Sequence, residues 1–367
     1  MNPDISKTRS SFSDEDILFM HLAMRLGEKG LGLTEPNPLV GAVVVKNGKI
    51  ISTGYHGRYG GAHAERSALE KTEEKDTTLY VSLEPCSHTG HTPPCTDIII
   101  EKKVKRVVIP FADPNPGVNG AGIKKLETAG IRVETGLLGS EGGYLNRHYL
   151  KYIVEKIPWV TVNAGVTIDG KLSDNKRNSQ WITSEISRSV SHSFRGEFSA
   201  IIVGSATVED DDPMLTIREQ GWPGKKFVRV VLDTRNRLSR KMKVFNMGEK
   251  WPLYVFSGSQ FKENGKKNGN HFFVNSGPSG LDLNEVLRIL GEQGIASVLV
   301  EGGGALIGSF LNSRLCDEIV LFTADKLLGG NNSVEILSEG VPLTDPVKLT
   351  GKNIFKLDDG YIIRGMV

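Results

Sequence analysis

The chain has 367 residues, enough for two domains at the usual ~150 residues each. Its 45 Lys plus Arg nearly balance 43 Asp plus Glu, leaving a formal charge of +2, so no large field draws it to nucleic acid or to an anionic membrane surface. Apolar residues make up 38% and aromatic residues 7%, a globular composition, and three cysteines are too few and too odd in number for a disulfide scaffold.

Met1 to Phe12 reads as a loose arm, with Lys7 and Arg9 but without the apolar stretch a secretory signal needs. No segment approaches the ~20 apolar residues of a membrane helix. A reducing cytoplasm suits the free thiols, and we expect no membrane partner. Ser13 is a plausible N-cap for an amphipathic helix over Asp14 to Glu28. Gly41 to Val45 is a β-branched run, Asn47-Gly48 signals a hairpin, and Ile50 to Tyr55 is the returning strand. Helix and strand then alternate: helix Ala62 to Lys71, strand Thr78 to Leu83, helix Thr96 to Lys103, strand Arg106 to Pro110, helix Ile123 to Ala129, strand Ile131 to Glu134. Such alternation argues for layered α/β architecture.

Asn146 to Pro158 is expected to be a helix running into a linker, so the boundary is placed at residue 155 and the domains at 1–155 and 156–367. A second α/β series follows. Strands are expected over Trp159 to Ala164, Ala200 to Val203, Val228 to Asp233, Leu253 to Ser257, Ser297 to Glu301 and Glu318 to Thr323. Helices are expected over Ser184 to Glu197 and Leu283 to Glu292, with another starting at Ala305. Lys262 to Asn270 is polar and reads as a surface loop.

The strongest chemical signal lies in the first half. His63-Ala64-Glu65, then Pro85-Cys86, then Pro93-Pro94-Cys95 offer one imidazole and two thiolates. That set is three ligands of a tetrahedral zinc with an open fourth position, the catalytic arrangement. Two thiolates nearly cancel the metal charge, so a water there needs a base beside it. Glu65, two residues from His63, is placed to take the proton. This is the His-x-Glu and Pro-Cys logic of zinc nucleobase deaminases, in which the Glu shuttles a proton and is not a ligand.

With Glu84-Pro85-Cys86-Ser87-His88-Thr89-Gly90-His91-Thr92-Pro93-Pro94-Cys95, Pro36-Asn37-Pro38-Leu39-Val40-Gly41-Ala42-Val43-Val44 and Gly54-Tyr55-His56, this half resembles the deaminase half of the bifunctional riboflavin-biosynthesis deaminase–reductases. Eight residues separate Cys86 from Cys95, where cytidine and transfer-RNA adenosine deaminases usually have two. The resemblance implies a cytidine-deaminase-like three-layer αβα domain. It puts Asn37, His56, His88 and His91 around the pyrimidine and phosphoribosyl pocket. His91 stands where the family more often has Lys or Arg.

The second half is similar to the reductase half of the same enzymes, and the likeness runs from about Ile17 to the last strand. Its motifs are Thr161 to Lys171, Ser179-Gln180-Trp181-Ile182-Thr183, Phe194-Arg195-Gly196, Val203 to Val208, Asp210 to Arg218 and Leu299 to Ala305. The resemblance implies a dihydrofolate-reductase-like α/β domain. NADPH would contact Gly165, Trp181, Thr207, Asp211, Thr234, Gly303 and Gly304. Substrate would contact Ser179, Arg195, Leu215, Arg218 and Glu301. Glycines between a strand and a helix let phosphate approach free backbone N–H groups, although the G-x-G-x-x-G spacing of a Rossmann unit is absent. Arginines pair with phosphate in a bidentate way. Asn163 stands where the family usually has Lys, and an amide cannot supply a proton as an ammonium can. Thr167-Ile168-Asp169 replaces the more usual Ser-Leu-Asp.

The expectation is a two-domain enzyme of riboflavin synthesis. One domain, with one Zn²⁺, deaminates 2,5-diamino-6-(5-phosphoribosylamino)pyrimidin-4(3H)-one. The other reduces the ribosyl group of the product with NADPH. The partner is a small phosphoribosylated pyrimidine, with no nucleic acid, and the enzyme is expected to be a homo-oligomer, dimer or tetramer. Two rivals are a nucleic-acid or nucleoside zinc deaminase fused to a non-catalytic binding domain, and a protein with a structural zinc. The near-neutral charge and the Cys-x8-Cys spacing oppose the first, and three clustered ligands rather than four oppose the second. Cys316 is read as a buried apolar residue.

Overall fold

Helix α1 (Asp14–Gly27) begins where a reciprocal cap forms. The Asp16 N–H donates to Ser13 Oγ at 3.2 Å, and the Ser13 N–H donates to Asp16 Oδ2 at 2.9 Å. Strands β1 (Gly41–Lys46) and β2 (Lys49–Tyr55) are joined by Asn47 and Gly48, both at positive φ (51° and 72°). That is the turn the Asn-Gly pair encodes. The computed structural model describes residues 12–89, 93–176, 178–217, 222, 225, 227–248, 251–261, 270–277, 280–330, 332–337, 340–341 and 344–367. The arm over 1–11, His91, Arg218 and residues 262–269 of the polar loop lie outside them.

Two compact units divide between Glu155 and Lys156. The first continues with α2 (Ala64–Leu69), β3 (Thr78–Val81), α3 (Cys95–Glu101), β4 (Arg106–Ile109), α4 (Ala121–Thr128), β5 (Arg132–Thr135), α5 (Gly139–Leu145) and α6 (Arg147–Glu155). Its sheet runs β2-β1-β3-β4-β5, antiparallel through β3 and parallel from β3 to β5. Alternation along β1 splits the apolar residues between two faces. Val43 and Val45 pack with Phe19, Met20 and Ala23 of α1. Ala42 and Val44 pack with Ala68, Leu69, Ile98 and Leu126 of α2, α3 and α4. Helices therefore cover both faces, the αβα sandwich that the resemblance implies.

The second unit holds β6 (Trp159–Thr167), β7 (Lys171–Ser173), α7 (Glu185–Phe194), β8 (Ala200–Gly204), α8 (Ser205–Asp211), β9 (Val228–Leu232), β10 (Leu253–Gly258), β11 (His271–Val274), β12 (Ser276–Gly277), β13 (Gly280–Leu281), α9 (Leu283–Glu292), β14 (Ser297–Glu301), α10 (Gly304–Asn312), β15 (Glu318–Ala324), β16 (Val334–Glu335), β17 (Thr350–Leu357) and β18 (Gly360–Met366). Its main sheet runs β11-β10-β9-β8-β14-β6-β15-β18-β17. All pairs from β11 to β15 are parallel, and β18 and β17 close the sheet as an antiparallel hairpin. One face carries Val160, Val162, Ile202, Val230 and Val300 against α9 and α10. The other buries Ile201, Val203 and Val231 with Val208 of α8. Cys316 is 5% exposed in the turn before β15, where its thiol donates to the Glu318 carbonyl, in keeping with an apolar, structural role.

Sequence periodicity misses α5, α8 and the β17–β18 hairpin. Gly139–Leu145 carries three glycines, and Ser205–Asp211 ends in acidic residues, so both look like loops. Asp212, at φ 40°, ends the helix in the left-handed region, just before Pro213.

Candidate active sites

The first site is built where two helices start. His63 is the extended N-cap of α2, which shortens the expected helix, and Glu65 sits in its first turn. Cys86 lies in the loop after β3, and Cys95 opens α3. His63 Nδ1 comes within 3.2 Å of Cys95 Sγ and 3.5 Å of Cys86 Sγ, and the Cys95 backbone N–H donates to Cys86 Sγ at 3.4 Å. All three ligand atoms lie within 4.8 Å of one another. Tetrahedral bonds of ~2.0–2.3 Å put ligand atoms roughly 3.5 Å apart, so one zinc ion spans this triangle. The protonation pattern also fits. A hydrogen bond from Cys95, then the imidazole of His63, hold Cys86 well below the ordinary thiol range, while its bond to Cys86 and burial push Cys95 up. The proton retained on Cys95 is the one a metal displaces on binding.

Glu65 is 3% exposed. Burial, and then the negative charge of Cys86, push its carboxyl up to about 7. A carboxyl in that range both holds and releases a proton near neutrality. In front of it is a cavity of about 300 Å³ whose lining includes Asn37, His56, His63, Cys86 and His88. Burial lowers the His56 pKa, which keeps the ring neutral. Its Nδ1–H donates to the Ala62 carbonyl at 3.0 Å, so Nε2 is the acceptor facing Asn37 Nδ2 at 3.5 Å. That contact orients the Asn37 amide at the cavity wall.

A further part of the lining was not anticipated. Asp113, Asn115, Val118, Tyr149, Tyr152 and Ile153 also line the cavity. Tyr149 donates to Asp113 Oδ1 and Oδ2 at 3.0 and 2.8 Å. Asp113-Pro114-Asn115-Pro116 past the end of β4 and the aromatic residues of α6 were available signals; the first drew no expectation and the second was expected as a helix running into a linker. Glu84 binds this wall to the metal loop. Its buried carboxylate accepts the N–H groups of Asp113, Gly120, Gly122 and Ile123 at 2.9 to 3.2 Å.

The second site gathers at the carboxyl ends of parallel strands, where open α/β sheets bind ligands. Register puts Glu301 of β14 beside Asn163 of β6. Arg195, just after α7, grips Glu301 with Nε–Oε1 at 3.1 Å and Nη2–Oε2 at 2.8 Å, and its Nη1 donates to the Thr216 carbonyl at 3.0 Å. Burial alone would raise the Glu301 carboxyl, but the Arg195 charge and hydrogen bonds outweigh it and keep it ionised. Arg195 is thereby committed to Glu301. Leu215, expected at the substrate, packs its side chain at 3% exposure into the cluster with Val203, Val208 and Phe227.

Past Glu301 the chain turns on Gly302, at φ 151°, where a Cβ would sit 3.2 Å from Thr207 Oγ1. The turn thus lies against Thr207 of α8. Gly303 caps α10, and a Cβ there would meet nothing within 4 Å, so this backbone is open to a ligand. Gly304 differs, because a Cβ would strike the Glu335 carbonyl, which makes it a packing glycine. An open helix start of this kind beside Thr207 fits the phosphates of a dinucleotide. The Trp181 ring is 61% exposed, with the Arg188 guanidinium 4.1 Å over it, and Lys326 Nζ donates to the Trp181 carbonyl at 3.0 Å. A Cβ added at Gly165 would sit 3.3 Å from the Thr183 methyl. Ser179 and Asp211 are exposed, and Thr234 is half-buried just past β9.

Comparison with known proteins matches both units. A family model described as the cytidine and deoxycytidylate deaminase zinc-binding region covers residues 13–110, and one described as the RibD C-terminal domain covers residues 158–363. The chain is 40% identical over 349 residues to the riboflavin biosynthesis protein RibD of Aquifex aeolicus, covering 94% of this chain and 96% of that one. It is 38% identical over 331 residues to RibD of Escherichia coli, covering 86% and 89%. Among solved structures it resembles a diaminohydroxyphosphoribosylaminopyrimidine deaminase/5-amino-6-(5-phosphoribosylamino)uracil reductase from Thermotoga maritima, with 37% identity, a TM-score of 0.84, and coverage of 96% and 98%.

Proposed function

This chain belongs to the RibD family of riboflavin-biosynthesis proteins, and from that premise we propose how its residues divide two reactions between two units. It is a bifunctional enzyme, a zinc-dependent deaminase and an NADPH-dependent reductase acting on a small molecule. The convergence of His63, Cys86 and Cys95 beside buried Glu65 carries the deaminase reading.

In residues 1–155, His63, Cys86 and Cys95 hold Zn²⁺, which when bound supplies a Lewis acid that acidifies water. Glu65 takes the proton from the attacking water on a carboxylate oxygen and passes it to the departing 2-amino nitrogen. The 2-amino group of 2,5-diamino-6-(5-phosphoribosylamino)pyrimidin-4(3H)-one leaves as ammonia and oxygen takes its place. Asn37 reads a ring carbonyl and its neighbouring N–H, held in orientation by neutral His56. His88 and His91 serve the rest of the substrate.

In residues 156–367, NADPH when bound would supply a hydride to the ribosyl C1′, with the C1′–O4′ bond opening and O4′ taking up one proton. Gly303 and Gly304 of the α10 start, with Thr207, hold its phosphates, and Gly165, Trp181, Asp211 and Thr234 complete the cofactor contacts. Glu301, kept ionised by Arg195, faces the substrate together with Ser179, and Arg218 takes the substrate phosphate. The enzyme works in the cytoplasm without nucleic acid, as a dimer or tetramer. The exposed Ile354 and Phe355 on edge strand β17 favour self-association.

The test is incubation of pure protein with the diaminopyrimidinone. Ammonia is released without NADPH, and NADPH is oxidised only after that release. Ammonia without later NADPH oxidation would leave the deaminase and remove the reductase.

A further inference from the structure

Helix α4 starts without a cap of its own. Its N-cap is Gly120, at φ 81°, which has no side chain to offer the free N–H groups of the first turn. The acceptor comes from far upstream. Glu84 Oε2 accepts from the N–H groups of Asp113 and Gly120 at 2.9 and 3.0 Å, and Oε1 accepts from those of Gly122 and Ile123 at 2.9 and 3.2 Å. A carboxylate offers about four acceptor positions, so this buried one is fully spent on backbone. Capping alone asks for less, because the Asp113 bond lies well before α4 and adds nothing to it. Glu84 is joined to the metal ligand Cys86 through Pro85 alone, whose ring fixes φ and leaves the link few soft torsions. A Cβ on Gly122 would come 2.0 Å from the Pro85 carbonyl oxygen, so α4 rests directly on the metal loop. At the far end of the same network Asp113 lines the cavity with Asn115 and Val118 and accepts from the Tyr149 hydroxyl.

We propose that Glu84 is a positioning residue of the deaminase that couples the zinc loop to the cavity lining: metal seated on Cys86 orders residues 113–123, and a pyrimidine held by that lining slows the loss of the metal. The inference rests on the deaminase reading given above. Glu84 is neither in the ligand set nor among the residues lining the cavity, so it acts through Cys86 on one side and Asp113 on the other. Coupling of this kind is reciprocal, since whatever the metal contributes to ordering the lining, a ligand on the lining returns to the metal.

The experiment compares full-length wild-type and Glu84→Gln enzymes, both zinc-loaded. Glutamine has nearly the same shape, but its NH2 group faces two backbone donors where an oxygen stood. KM for the diaminopyrimidinone should rise about fivefold or more while kcat stays within about threefold, because the lining binds in ground and transition states alike. Zinc content should stay at one ion per chain, and transfer of zinc to a chelator should quicken about threefold or more. The deaminated pyrimidine, added without NADPH, should slow that transfer in wild type and much less in the variant. NADPH oxidation should not change. Should Glu84→Gln fail to fold, amide hydrogen exchange of the wild type decides: removing zinc should speed exchange over residues 113–123 about tenfold or more and leave α1 as it was. An unchanged KM in a folded, zinc-loaded variant overturns the proposal. So does exchange over 113–123 that ignores zinc, and so does a loss of protection spread over the whole unit, which would make the metal a general clamp. Wild-type protein that binds no zinc refutes the deaminase reading instead.

Discussion

Two enclosed glutamates, one in each unit, are held in opposite charge states. Glu65 lies near two sulfurs, and burial with the Cys86 charge lifts its carboxyl to about 7. Glu301 is gripped by Arg195, and its carboxyl sits below the ordinary value despite burial. The same side chain is thus set for proton transfer in one unit and for fixed negative charge in the other, and the neighbour decides which.

The sharpest way to break this comparison is to remove the titrating carboxyl from one and the neighbouring cation from the other. Glu65→Gln should retain zinc, because Glu65 is not a ligand, and should lose about 10²–10⁴-fold in ammonia release. NADPH oxidation with the deaminated pyrimidine should be unaffected. Deamination surviving within a few-fold would give the proton to another group. Zinc content measured on the same sample separates this from loss of the metal.

Arg195→Ala attacks the other arm. It leaves Glu301 in place without its cation, and breaking such a pair by removing one partner costs about 3–5 kcal/mol. All four tryptophans lie beyond residue 155, so tryptophan fluorescence in urea follows the second unit alone. Its midpoint should fall, and Arg195→Met with Glu301→Leu should recover most of the loss. A single variant as stable as wild type would show that Glu301 takes up a proton at little cost and would undo the contrast with Glu65.

A third carboxylate shows what structural charge looks like away from either site. Asp16 accepts from Arg106 Nη1 and from the Tyr80 hydroxyl, each at 2.6 Å. Burial alone would raise its pKa, but the bonds from Arg106, Tyr80 and Ser13 outweigh it and hold the carboxyl well below the carboxylate range. A depressed folded value means stability that is present above the unfolded pKa, near 4, and is lost as pH falls through the folded value. Asp16→Asn should therefore destabilise the first unit by about 2 kcal/mol at pH 7, and the gap to wild type should narrow as pH is lowered below about 4. Urea denaturation followed by far-ultraviolet circular dichroism at neutral and at acid pH checks the sign. A gap that widens in acid would reverse the assignment.

Legibility differs between the units for a physical reason. His63, Glu65, Cys86 and Cys95 fall on loop ends and first turns, close in sequence, so their spacing alone exposes the chemistry. Layered α/β architecture was visible in the alternation of helices and strands, whereas the three-layer αβα arrangement came from the family resemblance, because β1 is apolar on both of its covered faces and shows no alternation in sequence. In the second unit Asn163 and Glu301 meet only through strand register, and Arg195 finds Glu301 across the fold. No local pattern encodes that Arg195 is spent on Glu301, that Leu215 enters an apolar cluster, or that Asn163 retains an unpaired oxygen. The Asp113 and Tyr149 wall escaped notice for the same reason. Its polar groups come from a Pro-flanked loop and a helix, and only the folded chain brings Tyr149 against Asp113.

The smallest predicted effect separates ligand binding from packing within one glycine turn. Gly303 has φ −79°, which alanine adopts freely, and an added methyl meets nothing within 4 Å. Gly303→Ala should cost the fold only about 0.5 kcal/mol, the usual price of a poorer N-cap. The methyl would nevertheless stand where a phosphate approaches the α10 N–H groups, and NADPH affinity should fall about tenfold. Gly304→Ala should behave the other way. Its methyl collides with the Glu335 carbonyl, so the urea midpoint of tryptophan fluorescence should drop before any loss of cofactor affinity can be ascribed to contact. Fluorescence titration with NADPH beside urea curves on both variants distinguishes the two. If Gly303→Ala binds NADPH as wild type does, the phosphates do not rest on this helix start, and the second unit must hold its cofactor by the side chains of Thr207, Asp211 and Thr234 instead.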